Sequence, residues 1–190
     1  LTPSPRCAVF ISGRGSNLQV LLGLKNPNFQ VDLVVSSSSG ANGLKKAQEK
    51  GVETLVLSSP ISWKALQTQL VEKKIEALFL AGFMKIIPKE FVVHWQGRIF
   101  NIHPSLLPKY KGLNAVRRAF AEKSSIGASI HRVVPDVDAG EVLKQVVSIP
   151  KEKLEDYNLE QVEQINLEAE HRLLQQWVEE QWPKVLTSSF

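Results

Sequence analysis

Short apolar runs alternate with amphipathic stretches through the first hundred residues, the pattern of β-α-β units and a mostly parallel sheet. Ala8-Val9-Phe10-Ile11 reads as a first buried strand. The turn Ser12-Gly13-Arg14-Gly15-Ser16-Asn17 then leads into a helix over 18–24 that stops before Asn26-Pro27. Further strands are expected at 31–35, 54–57, 75–80 and 98–102, with helices at 43–50 and 63–73. Leu66, Leu70 and Val71 share one face of the 63–73 helix, and Pro88 is placed as the first residue of a short helix.

Beyond residue 102 the pattern changes. Residues 128–134 and 142–149 are strand-like, and the 135–140 loop between them is long enough to return them as an antiparallel pair. From 158 to 182, Leu159, Val162, Ile165, Leu167, Ala169, Leu173, Leu174 and Trp177 recur at the spacing of a long amphipathic helix. The outer face of that helix suits solvent and a second copy equally, so the pattern sets no oligomeric state. The fold class is α/β: one Rossmann-like domain over 1–190, with a mostly parallel sheet, an antiparallel strand pair near the C-terminus and a long C-terminal helix.

Composition narrows the class. No apolar run approaches the roughly 20 residues of a membrane-spanning helix, and the first residues, Leu1 to Arg6, hold no secretory apolar stretch. A lone cysteine, Cys7, excludes a disulfide framework and any multi-thiolate zinc site; it reads as a small buried residue of the first strand. The expected location is therefore cytoplasmic, with a plastid as the alternative if a transit peptide has been removed. Charge is uneven: residues 151–190 carry nine acids against four bases, so that within a total of +4 the first 150 residues stand at +9. A basic body suits an anionic ligand. Nucleic acid is disfavoured, because the bases are scattered with no aromatic platform among them.

Three places can carry chemistry. In Gly13-Arg14-Gly15-Ser16-Asn17 the glycines permit a tight turn, and the free N–H groups of the following helix start make an anion site. Leu18 stands where a dinucleotide fingerprint has its third glycine, and no Gly-Lys-Ser/Thr ends the turn, so the phosphate of a small substrate fits better than NAD or ATP. Asn101 and His103, two apart at a strand end, project to one face where α/β sheets bind ligands, and Pro104 and Pro108 stiffen the segment beyond His103. Third, Gly127-Ala128-Ser129-Ile130-His131 precedes Asp136-Val137-Asp138-Ala139-Gly140; either aspartate could reach a histidine from such a loop and raise its pKa. His94 and His171 fall on helices and default to surface roles. The set lacks zinc-ligand spacing, so no metal is expected, and Ser105 lacks the glycines of a nucleophile elbow.

Asn101-Ile102-His103-Pro104-Ser105-Leu106-Leu107-Pro108, followed by Gly127-x-Ser129-x-His131-x-Val133-x4-Asp138-x-Gly140, resembles the active-site signature of the phosphoribosylglycinamide formyltransferases, a folate-dependent formyltransferase family. Ile11-Ser12-Gly13-x-Gly15-Ser16-Asn17-Leu18 and Leu80-Ala81-Gly82-Phe83-Met84-Lys85-Ile86 are similar to that family's substrate and folate segments. The resemblance runs from about residue 8 to 140, with a weaker echo at Glu170-His171. It implies transfer of a formyl group from 10-formyltetrahydrofolate to the amine of glycinamide ribonucleotide, in purine biosynthesis, without a metal. It also implies roles. His103 is the general acid, Asn101 the oxyanion donor and a folate contact, and Asp138 orients His103 and raises its pKa. Gly15, Ser16 and Asn17 hold the ribonucleotide phosphate, and Glu170 reaches the ribonucleotide from the last helix. Met84, Lys85, Ile86 and Ile87 line the pterin pocket. The phosphate-binding half would be about 1–100 and the catalytic segment with the strand pair and last helix about 101–190.

Two positions depart from the family pattern. Trp63, with Lys64 beside it, stands where a folate-binding arginine is usual, which leaves Lys64 as the candidate cation. Arg172-Leu173-Leu174 replaces the usual Tyr-Pro after Glu170-His171. Two alternatives keep the catalytic core and change the acceptor, a formyltetrahydrofolate hydrolase using water or a formyltransferase for another amino-sugar; a third, a module that senses a nucleotide or folate without turnover, is disfavoured by the intact Asn101, His103 and Asp138. The expected partners are small molecules, with neither nucleic acid nor membrane.

Overall fold

The computed structural model describes residues 4–186. Its centre is β1 (Arg6–Ile11), whose residues after Arg6 are all buried. Cys7, Val9 and Ile11 pack into one apolar layer, and Ala8 and Phe10 into the other. A strand covered on both faces loses the alternation of a half-exposed one, which is why it reads as a continuous apolar run. Around it stand β2 (Gln30–Ser36), β3 (Glu53–Val56), β4 (Ala77–Leu80), β5 (Ile99–His103), β6 (Ile126–Arg132) and β7 (Val142–Ile149), in the order β3-β2-β1-β4-β5-β6-β7. The first five run parallel.

The helices are α1 (Ser16–Gly23), α2 (Asn42–Glu49), α3 (Trp63–Glu72), α4 (Lys89–His94), α5 (Ala115–Ala121) and α6 (Leu159–Gln181). Residues of α1, α2 and α6 pack on one side of the sheet, and those of α3 and α4 on the other. The 23-residue α6 starts at a capping box, in which Asn158 and Gln161 satisfy each other's backbone N–H groups. Its buried stripe, including Leu173, Leu174 and Trp177, locks it onto the sheet, each such side chain contributing about 1.5–3 kcal/mol by leaving water.

The parallel sheet, the long last helix and the β6–β7 antiparallel pair match the sequence expectation. Three details differ. Pro88 caps α4 instead of opening it: its ψ of 147° is extended and lies outside the helix, while its carbonyl already accepts from Val92. The short α5 stands where no periodic pattern predicts a helix. Most consequentially, β6 is also antiparallel to β5, which sets Asn101 opposite His131 and His103 opposite Ser129.

The chain leaves β1 toward β2 on one side and returns to β4 on the other, so a crevice opens between the carboxyl ends of β1 and β4. Backbone bonds from Ala81 to Phe10 and from Ser12 to Gly82 tie the two strand ends together. The 84–87 segment extends from this tie, where the Met84 N–H donates to the Ser12 hydroxyl.

Candidate active site

Gly15 opens α1 in the left-handed region, φ 68°, and lies against Gly43 of α2; a Cβ there would come within 2.7 Å of the Gly43 Cα. Only glycine satisfies both demands. Asn17, in the first turn of α1, is buried and donates through Nδ2 to Glu170 Oε2 on α6 at 3.0 Å, while its Oδ1 is buried with no donor facing it. Burial pushes the Glu170 carboxyl up to about 7, and the Asn17 bond only partly opposes this.

Across the crevice, the end of β5 presents Asn101 and His103 on one face. Asp138, on the loop between β6 and β7 and itself in the left-handed region at φ 46°, joins them. Its Oδ2 lies 3.3 Å from His103 Nδ1 and accepts the Gly112 N–H at 2.8 Å, and its Oδ1 accepts from Asn101 Nδ2 at 3.3 Å. His131 completes the group: Nε2 is 3.0 Å from Asn101 Nδ2 and 3.3 Å from Asp138 Oδ1. Burial alone would push the Asp138 carboxyl up, but the His131 ring, the Gly112 N–H and the charge of His103 outweigh it and hold it at about 2.

At His103 the pull of Asp138 is outweighed by burial. Burial lowers its pKa below the ordinary histidine value, and the repulsion of His131 and Arg118 adds to this. The Tyr110 carbonyl, 3.0 Å from Nε2, and the charge of Asp138 pull the other way without prevailing. Asp138 does raise His103, as expected, but the net displacement is downward because the imidazole is only 6% exposed.

These residues border one cleft of about 330 Å³, large enough for a small-molecule ligand. Asn17 and Glu170 stand on its wall, as do Met84, Lys85, Ile86, Ile87, Asn101, His103 and Asp138. Met84, Ile86 and Leu113 expose most of their apolar surface at its border, which water-facing side chains seldom do in such a cluster. Gly15 and Ser16 sit at the adjoining helix start and do not line the cleft itself. Lys64 is not brought to it: it is exposed on α3, while Trp63 packs edge-on against Phe83 and Phe91. His94 is exposed, in keeping with its helical position, but His171 is only half-exposed and its Nε2 is buried without a partner. Among the described residues no cluster of potential ligands could hold a metal ion. None of the described helices is long and apolar enough to cross a membrane.

Three contributors have no role in the sequence pattern: His131, present in the motif without an assignment, and Gly112 and Tyr110, outside it. The register of β5 against β6 is what reveals His131; the other two act through backbone atoms, which carry no side-chain signature.

A model of the formyl transferase family matches residues 5–178. The chain belongs to that family. Among curated relatives, it is 39% identical to Escherichia coli phosphoribosylglycinamide formyltransferase over 147 residues, covering 72% of this chain and 69% of that one. It is 41% identical over 150 residues to the human trifunctional purine biosynthetic protein adenosine-3, covering 74% of this chain but only 15% of that much longer relative. Among solved structures, the phosphoribosylglycinamide formyltransferase of Anaplasma phagocytophilum superposes with a TM-score of 0.85 at 36% identity, over 93% of this chain and 86% of that one. The fold is thus that of the phosphoribosylglycinamide formyltransferases.

Proposed function

We propose that this chain transfers a formyl group from 10-formyltetrahydrofolate to the amine of glycinamide ribonucleotide, as a step of purine biosynthesis. The observation that carries the proposal is the convergence of Asn101, His103 and Asp138 in one cleft, with the Asn17–Glu170 pair and the 84–87 segment on its walls. The residues present suit both substrates. The start of α1, with Gly15, Ser16 and Asn17, offers N–H donors to a phosphate, and Glu170 offers a carboxyl group to the sugar or amine beyond it. The Met84–Ile87 border offers apolar contact and backbone polar groups to a flat pterin ring; Ile86 is 78% exposed, so a bound ring would remove it from water.

Attack of an amine on a formyl carbon places negative charge on the formyl oxygen. Asn101 and His103 border the cleft at one strand end, and their donors, held in the free protein by Asp138 and the Tyr110 carbonyl, would exchange those partners for that charge. The Tyr110 carbonyl can only accept, so His103 Nε2 carries a hydrogen. A neutral ring then turns the Nδ1 lone pair toward Asp138, which is unfavourable, and protonation of Nδ1 converts that contact into a charge-assisted bond. Burial disfavours the imidazolium in the free site, whereas a neighbouring oxyanion favours it. The acid is accordingly stabilised most when the charge it answers is present, which is the differential binding catalysis requires. From that position the imidazolium gives its proton, directly or through water, to the folate nitrogen as its bond to the formyl carbon breaks, and the proton lost by the attacking amine passes through water to restore the imidazolium.

The test is a spectrophotometric assay of folate deformylation with and without glycinamide ribonucleotide. Strict dependence on the ribonucleotide is expected. Equal turnover without it would identify water as the acceptor and favour a hydrolase, and no turnover with folate bound would overturn the reading.

A further inference from the structure

His131 is 1% exposed, lies on β6 directly opposite Asn101, and contacts two of the three residues assigned to the chemistry. We propose that His131 is a positioning residue: a neutral imidazole, tied through Nδ1 to the Arg132 carbonyl, whose Nε2 lone pair anchors one N–H of Asn101. The proposal rests on the transferase reading.

Each proton has one consistent place. Arg132 O is 2.8 Å from Nδ1 and can only accept, so Nδ1 carries a hydrogen. Asn101 faces the Asp138 carboxylate at 3.3 Å, which fixes the facing atom as the amide nitrogen, a donor. His131 Nε2 therefore meets a donor at 3.0 Å and an acceptor, Asp138 Oδ1, at 3.3 Å, and it cannot serve both. A hydrogen on Nε2 would bond Asp138 but would oppose the Asn101 N–H at the shorter distance. It would also make His131 an imidazolium in the site where, on the transferase reading, His103 must take up its charge, and two such rings on one carboxylate leave a buried charge uncompensated. Since the reaction needs the charge on His103, His131 is the neutral ring. Asp138 keeps a donor on each oxygen without it, Gly112 on Oδ2 and Asn101 on Oδ1, and without the His131 bond its carboxyl is held down less far, by the Gly112 N–H and the charge of His103.

Both Asn101 N–H groups are then engaged, one by His131 and the other, at longer range, by Asp138. The longer bond is the one exchanged for the developing oxyanion. The shorter one holds the amide plane while this happens, so that the donor is already aimed when charge appears.

Two measurements test this on the whole chain. Long-range proton–nitrogen correlation of the histidine rings is expected to show His131 with a protonated, pyrrole-type Nδ1 and a pyridine-type Nε2 at the pH of maximal activity. A protonated Nε2 would overturn the proposal, whether or not the chain turns over, and so independently of the transferase reading. In kinetics, His131→Ala is expected to lower kcat about 10- to 100-fold with KM for the ribonucleotide little changed. His131→Gln, whose Oε1 reaches the Nε2 position, should recover part of that loss. Equal kcat in all three forms, or a Gln variant no better than Ala, would reduce His131 to packing and overturn the proposal. If the unsubstituted chain shows no ribonucleotide-dependent turnover, the transferase reading fails, and the ring-nitrogen signals still decide whether Nε2 anchors Asn101.

Discussion

The Nε2 of His103 points at the backbone carbonyl of Tyr110, 3.0 Å away, so the ring nitrogen the reaction would use is already hydrogen-bonded within the free protein. Tyr110 and Asn114 both occupy the left-handed region, at φ 56° and 57°, and Gly112 between them stands at 75°. Such conformations cost of order 1 kcal/mol each in non-glycine residues, so this turn is not at the backbone's minimum. On the proposed reading, productive binding would exchange the Tyr110 carbonyl for substrate. His103→Asn is therefore expected to lower kcat by about 10²–10⁴ while ribonucleotide affinity, measured by calorimetry, stays near normal.

Asp138 contributes an upward pull on His103. With Asp138→Asn that pull is gone, the pKa of His103 falls further, and its protonated form is confined to lower pH. The high-pH decline of kcat should begin at lower pH than in the unsubstituted chain. An unmoved decline in the pH–rate profile would disconnect Asp138 from the acid.

Glu170 should make stability fall with rising pH. Its folded pKa, about 7, lies above its ordinary 4.5, so its protonated form favours folding. That contribution is complete below about 4.5 and disappears as pH rises through about 7. Glu170→Gln removes the dependence. The variant should melt higher than the parent at pH 8 and close to it at pH 4.5. The gap is at most about 3 kcal/mol, each kcal/mol shifting the midpoint by about 2–4 °C in a chain of this size.

Ser129 holds the segment after His103 in place. Fully buried, its hydroxyl donates to the Ser105 carbonyl and accepts from the Leu107 N–H and Gln145 Nε2. Ser129→Ala leaves those groups short of partners and should cost about 1–3 kcal/mol in denaturant unfolding. Turnover should fall with it, because the same segment carries the backbone on from His103 toward Tyr110.

Gly140 ends the loop that carries Asp138, and a Cβ there would lie 1.8 Å from the Arg132 carbonyl oxygen. Backbone against backbone cannot yield as a side chain can. Gly140→Ala should displace the loop, costing about 1–3 kcal/mol or more and lowering kcat at the same time. Thermal melting and turnover on one preparation would check both.

The strand runs and the long amphipathic helix are legible in the sequence because burial imposes a period on each of them: continuous apolarity where a strand is covered on both faces, and the 3.6-residue stripe of 159–177 where a helix is covered on one. Asn101 and His103 are legible for a similarly local reason, since two residues apart on a strand means one face. The turn at Gly15 announces itself because few backbones need glycine there. By contrast, α5 leaves no trace, since seven residues such as Ala115–Ala121 hold too few turns to show a stripe. Lys64 is a candidate by adjacency alone, and α3 turns it to solvent.

Local chemistry in the sequence thus determined which residues could bind a phosphate, donate a proton or accept one. Which of them meet was decided by the tertiary structure. The antiparallel placement of β6 beside β5 brings His131 against Asn101, and the loop beyond it selects Asp138 over Asp136 as the carboxylate between the two histidines. Neither can be read from spacing along the chain, because strand order and register are set by how the whole apolar surface is buried, not by the residues that happen to face each other once it is. The same holds for His103: its neighbours suggest a raised pKa, but the depth at which the fold buries it lowers the value instead.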